Sequence, residues 1–528
     1  MPNSNDLIER VTSIRERVWH HTALARRLAP LALGVGLTTT LLVACDDDAR
    51  PAVKVLVDAP MSAGTITPGS TPFVAFVPLE GGNLSRMATV NFVIQPKSGS
   101  ASKPVSVTYS RDYLERKGYI AAGISIVTLP VFGLYSGASN VVAVTVTGTD
   151  ASTVHLAIAI PTAAYVDQTG VYDHLQVVQP RSGAIGFDFM YLKTGVGGPV
   201  VVDTDGQVRW VGQGVSSSYS ALLLSNHFIV GTPHSGELYD LGFDGTVVTS
   251  GTLPSPVTAF QHNFEPGKTG ILGQPDLAVG GQSFLESVLA EFEADGTPIA
   301  QWDLGQILTD YMRANGDDPT AFVRPAVDWF HMNTAIYDPS DDSVIVSSRE
   351  NFIIKLDYKT QAIKWIFGDT QKYWYTFPSL RAKSLALVGG GLVPIGQHAV
   401  TIAPDGSLML FNDGAASMNQ PTGAPAGDAR SYAAVSDYTI DATAGTATEA
   451  WHYDHGQTYS SAYCSSARQV QDGSLLVDYS YAANGTVMHL VGLDPTRAVV
   501  FDYQLANIAG CWAAWNTQPI ALEAMSFN

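Results

Sequence analysis

The sequence predicts an all-β protein, a six-bladed β-propeller preceded by an N-terminal antiparallel β-sandwich-like domain, on three observations. Short runs of alternating apolar and polar residues fill the chain from about residue 52, and such alternation buries one face of a strand and leaves the other wet. After about residue 170, Asp-Gly turns repeatedly separate apolar runs. Helical periodicity is almost absent, and the turn-bounded groups recur with a period in the sixties, roughly four strands per unit. With 528 residues, 46% of them hydrophobic, the chain can bury a sizeable core and more than one domain.

Residues 1–44 read as an export signal. Arg10, Arg15, Arg17, Arg26 and Arg27 supply a basic start, and the apolar run "LAPLALGVGLTTTLLVAC" stops at Cys45 before "DDDAR". That run is too short, and too rich in Thr and Gly, to span a membrane. Leu42-Val43-Ala44-Cys45 resembles a bacterial lipobox, which implies lipidation of Cys45 and a chain anchored in the cell envelope, periplasmic or on the outer surface. The net charge of -19 argues against nucleic-acid partners, whose phosphates demand Lys and Arg. Two further cysteines, Cys464 and Cys511, leave their pairing open, because a separation of 47 residues fixes no geometry.

Residues 45–165 hold the sandwich-like runs "ATVNFVIQ", "VSVTYS", "VVAVTVTG" and "VHLAIAI", with no acid-base cluster among them. Residues 166–528 hold the propeller. Its hairpins are "VVVDTDGQVRWVG", "LYDLGFDGTVVTS", "LAEFEADGTPIAQWDL", "VTIAPDGSLMLFND" and "RQVQDGSLLVDYS". Each needs a positive φ in the tight turn, which Gly tolerates.

The period can be checked on residues that are not structural. His262, His331 and His398 are 69 and then 67 residues apart, and 66 more lead to Cys464. Each precedes the first strand of a unit, several residues before its hairpin turn, so the three imidazoles should converge at one end of the central channel. In "VDWFHMNTAIYDPSDDSVIVSSRENFIIKLDYKTQAIKWIFGD" the strand after His331 reverses at "PSDDS", and the next strand brings Arg349 back beside His331. Asn412 and Asp413 hold the matching strand end in the fifth unit, and Tyr479 to Tyr481 in the sixth. Imidazoles with a guanidinium fork make a local anion site in an acidic protein, suited to a sulfate or phosphate ester. A neutral imidazole is also a nucleophile. No metal is expected, since the guanidinium would repel a cation, and no cofactor is expected either. His452 and His455 are read as structural groups on or after an outer strand, and Trp329 as core, with Trp329 and Phe330 beside His331 left open as contacts to an aryl ring. The Ser465 hydroxyl beside Cys464 is a candidate for substrate contact.

The 327–369 block, "GQHAVTIAPDGSLMLFNDG" and the N-terminal "LPVFGLYSGASNVVAVTVTGTD" together resemble the bacterial arylsulfate sulfotransferases. The resemblance implies transfer of a sulfuryl group from an aryl sulfate ester to a phenolic acceptor without a nucleotide donor. It implies that His398 is the nucleophile, that Arg349, His331 and His262 hold the sulfate oxygens, and that Asn333 adds a polar contact. Members of that family often carry an acid after the histidines, whereas this chain has His262-Asn263 and His398-Ala399. No cysteine falls in 377–397, so a disulfide just before the nucleophile is not expected. The alternative reading is a membrane-anchored propeller that binds an anionic ligand or a protein without turnover. A homodimer is left open.

Overall fold

The alternating runs pair as strands in the computed structural model, which describes residues 60–120 and 125–528. The expected export signal and Cys45 lie outside these residues. In the N-terminal part, Val105–Ser110, Met87–Ile94, Ser139–Gly148 and Thr153–Pro161 form one antiparallel sheet. A second sheet is built on Val74–Gly81 and Ile126–Phe132. Val90, Phe92, Val107 and Val144 from the first meet Val77, Leu79, Val127 and Leu129 from the second in one buried cluster. Two half-apolar sheets have buried their wet-dry difference against each other. The last strand of the chain, Met525–Phe527, adds to this part, running parallel to Val105–Ser110.

Among the described residues the remaining strands form six sheets of four or five strands, antiparallel apart from the short edge strand Ala386–Val388. In the second to sixth sheets the first strands are Ala221–Leu224, Val257–Pro266, Met332–Asp338, Gln397–Ile402 and Ser466–Gln469, and the later strands of each sheet follow mainly in chain order. The first sheet is different. Its strands Val208–Val211, Val200–Asp203 and Phe189–Lys193 are completed by Trp515–Ile520 from the far end of the chain. The sixth sheet in turn gains an edge strand, Gln176–Gln179, from before the first. First strands of successive sheets touch one another from the second through the sixth, and Ser466–Gln469 touches Trp515–Ile520.

The five Asp-Gly turns form as their residues dictate, with Gly206, Gly245, Gly296, Gly406 and Gly473 all at φ between +80° and +91°. In four of them the Asp side chain also accepts the backbone N–H two residues on, as Asp405 does from Ser407 at 3.0 Å. One helix of 11 residues, Leu304–Ala314, departs from the all-strand expectation. It buries Leu304, Leu308 and Met312 at helical spacing, and the Asp303 side chain caps it by accepting from Gln306 N–H at 3.0 Å. Among the described residues no helix is long and apolar enough to cross a membrane.

Candidate active site

Three of the six sheets carry a histidine on or next to their first strand: His331 just ahead of Met332–Asp338, His398 second in Gln397–Ile402, and His262 in the middle of Val257–Pro266. Antiparallel pairing of Met332 with Ser348 and of Asp338 with Ser343 returns the chain to its starting end, and the Arg349 N–H donates to His331 O at 3.1 Å. The expected meeting of Arg349 with His331 therefore holds at the backbone. The imidazoles also gather: ring centroids lie 4.7 Å apart for His262 and His331, and 6.4 Å for His331 and His398. Trp515 joins them, 4.9 Å from His262 and 5.6 Å from His398.

Bulges aim these side chains. The ladders shift register at Gln261/Glu265, Met332/Thr334 and His398/Thr401. His262, His331 and Ala399 have φ of +53°, +49° and +46° there. Left-handed backbone at non-glycine residues costs on the order of 1–3 kcal/mol each and gathers where side chains must be re-aimed.

Acidic partners arrive from loops. His331 Nδ1 lies 2.6 Å from Asp328 Oδ2 and 2.9 Å from Glu286 Oε2, and His262 Nδ1 lies 3.6 Å from the same Glu286 oxygen. Burial opposes protonation of His331, but Glu286 and Asp328 outweigh it and raise its pKa to about 10. Glu286 is correspondingly drawn down to about 2, against its own burial, by His262 and His331. His262 is left neutral at about 4, by burial above all. Burial, then Arg349, His331 and His262, hold His398 well below the ordinary imidazole range. The cluster thus contains one cationic and two neutral imidazoles at pH 7.

Ligand atoms of His262, Glu286 and His331 lie within 4.8 Å of one another, close enough for a metal ion. His331 would first have to surrender the proton that both carboxylates hold, so this donor set favours the protonated imidazole. The Arg349 side chain is fully buried, donating from Nη1 to Glu350 Oε1 at 2.8 Å and from Nη2 to Ala462 O at 3.4 Å. Its Nε has no partner, and the guanidinium sits 4.9 Å from the Tyr463 ring centroid. Glu350 is fixed in turn by the N–H groups of Met418 and Asn419, both at 2.8 Å.

Asn333 donates from Nδ2 to Gln397 O at 2.7 Å, next to His398, while its Oδ1 is buried without a partner. Ser465 is engaged differently from the substrate contact expected of it. Its hydroxyl is shared with Ser461 Oγ at 2.6 Å, donates to Tyr463 O and accepts from Ser480 N–H, all within the sixth sheet and the segment leading into it. Cys464 forms a disulfide with Cys511. Trp329 belongs to the core, as expected, and Phe330 is buried in the same cluster.

Sequence reasoning missed Glu286 and Trp515 as site groups and left Asp328 and Asp413 without a role. Asp328 carried a signal, three residues before His331. Glu286 sits in a loop, itself at φ +46°, and carried none. Trp515 is invisible to a 66-to-69-residue period because its strand is supplied from the chain's end to a sheet begun much earlier.

Residues 174–507 match the family model described as Arylsulfotransferase (ASST). Over 154 residues the chain is 29% identical to the arylsulfate sulfotransferase AssT of Escherichia coli O6:H1, which covers 26% of this chain and 25% of that protein. It is 26% identical over 145 residues to the arylsulfate sulfotransferase AssT of Lelliottia amnigena, covering 25% of this chain and 24% of that one. The aligned segment spans about a quarter of the length of each of these relatives.

Proposed function

Since the chain belongs to the arylsulfotransferase family, we propose that it transfers a sulfuryl group from an aryl sulfate ester to a phenol through a sulfohistidine at His398. The observation that carries this reading is the neutral, buried His398 imidazole beside a protonated His331 and the Arg349 guanidinium. In the first half-reaction the imidazole lone pair attacks sulfur, the S–O bond to the aryl group breaks, and the electron pair leaves on the phenolate. In the second, a phenol oxygen attacks the same sulfur, the S–N bond breaks and His398 is restored. Splitting one displacement into two lets a single cavity serve donor and acceptor in turn. His331, His262 and the unpartnered Arg349 Nε–H face the sulfuryl oxygens, where fixed donors in a water-poor site act most strongly. Asn333 holds the strand that carries His398.

The same reading makes the six sheets the blades of one propeller. Three observations support it: Trp515–Ile520 completes the first sheet, the first strands touch in succession, and the ring of Tyr219 from the second sheet's approach packs tilted against Trp515, centroids 5.5 Å apart. Glu265 of the third sheet also pairs with Arg468 of the sixth, as groups facing each other across a channel would. The reading further places the protein in the cell envelope, lipid-anchored through Cys45. The Cys464–Cys511 bridge is what an oxidising compartment permits.

The test is incubation with 4-nitrophenyl sulfate, with and without phenol, for wild type and His398→Ala. Wild type is expected to release nitrophenol in a phenol-dependent manner, and His398→Ala to release none. Turnover that survives in the variant would reassign the nucleophile, and a wild type that binds sulfate without turnover would leave a binding module.

A further inference from the structure

One buried carboxyl is used by nothing in that scheme. Asp413 follows the strand Leu408–Asn412, which pairs with Gln397–Ile402. The register sets His398 opposite Phe411, so Asp413, two residues on, is the diagonal neighbour of His398 on the same side of the sheet. Its Oδ2 lies 3.6 Å from His398 Nε2, and its side chain has no exposed surface. Both Asp413 oxygens and His398 Nε2 are sealed from solvent with no hydrogen-bond partner. A carboxyl buried without donors is costly and calls for a function. The charged and titratable groups that act on it are Arg349, Arg430, His331 and His398.

We propose that Asp413 is the positioning residue that selects the reactive tautomer of His398: its carboxylate accepts from Nε2–H and leaves the lone pair on Nδ1, the nitrogen that attacks sulfur. This rests on His398 being the nucleophile. As the N–S bond forms and the aryl oxygen departs with its electron pair, the ring becomes cationic, and the Nε2 proton passes to Asp413. When the phenol oxygen takes the sulfuryl group, the proton returns from Asp413 to Nε2 as the S–N bond breaks, so that neutral imidazole leaves; the phenol's own proton goes to solvent. Asp413 thus fixes the tautomer of His398 as the buried aspartate does for histidine in a hydrolase triad, but unlike that aspartate, which stays ionised, it takes up the proton because burial favours its neutral carboxyl. Burial drives its carboxyl well above the ordinary range, against the pull of Arg349, Arg430 and His331. The carboxylate fraction, and with it the first half-reaction, therefore rises with pH along a one-proton limb.

The experiment compares the full chain with Asp413→Asn, whose amide donates to Nε2 and forces the proton onto Nδ1. The nitrophenolate burst is expected to slow by about 10²-fold or more. The pH limb should flatten, while KM for 4-nitrophenyl sulfate and the melting temperature stay near wild type. In ¹⁵N-histidine-labelled wild type above the limb, NMR should find the His398 proton on Nε2. A burst and limb unchanged in Asp413→Asn, or a wild-type proton on Nδ1, would overturn the inference. Absence of any burst in wild type would overturn the sulfotransferase reading instead, and the tautomer measurement would still decide the role of Asp413.

Discussion

His331 is the residue whose chemistry depends most on its company. A free imidazole titrates near ~6.5, but contact with Asp328 and Glu286 raises this one to about 10 despite burial. The sign is fixed by that direction. The raised value stabilises the fold fully below the unfolded pKa, and the support is lost as pH rises through about 10. Glu286, held at about 2, acts oppositely: it contributes above the ordinary glutamate range and loses the contribution as pH falls toward 2. Binding of an anion should follow the His331 proton. The inhibition constant of inorganic sulfate is expected to be flat through neutral pH and to weaken as pH approaches 10, and His331→Gln should bind sulfate more weakly with that limb removed. A wild-type constant that does not change up to pH 10 would show that His331 carries no charge used by the anion. At this scale the three histidines and Arg349 were legible because repetition and one hairpin count placed them. Glu286 was not, because a loop residue has neither period nor pairing to locate it.

Bulged first strands are the elements that turn repetition into a site. Each regular strand would alternate its side chains between two faces, so a register shift at His262 and His398, and one just after His331, is what re-aims the imidazoles. Cys464 stands at the corresponding place in the sixth sheet, also with positive φ at +68°, but its side chain is spent on the bridge to Cys511. That bridge ties the start of Ser466–Gln469 to the segment leading into Trp515–Ile520, the strand that carries Trp515 between two histidines. Cys511→Ser is therefore expected to lower stability by about 2–4 kcal/mol in chemical denaturation and to reduce turnover through misplacement of Trp515. Equal denaturation midpoints for variant and wild type would show that the strand is held without the bridge. The strands and their turns were readable from alternation and Asp-Gly pairs. The helix Leu304–Ala314 was not, because three large buried apolar side chains in eleven residues are a short signal inside a β-rich background.

Across the whole molecule, strands from outside the repeat do the joining. Gln176–Gln179 edges the sixth sheet, Trp515–Ile520 completes the first, and Met525–Phe527 extends the N-terminal sheet. The number of sheets was legible in the period; the exchange of end strands was not, because those strands stand outside the repeat and carry no Asp-Gly turn. The central claim, that sulfur passes through His398, is tested most directly by acid-free quenching of the enzyme with 4-nitrophenyl sulfate in the absence of phenol, followed by peptide mass spectrometry. The account predicts one added SO₃ group on the peptide containing His398, discharged on addition of phenol. An SO₃ adduct on any other residue, or phenol-dependent turnover with none on His398, would contradict it.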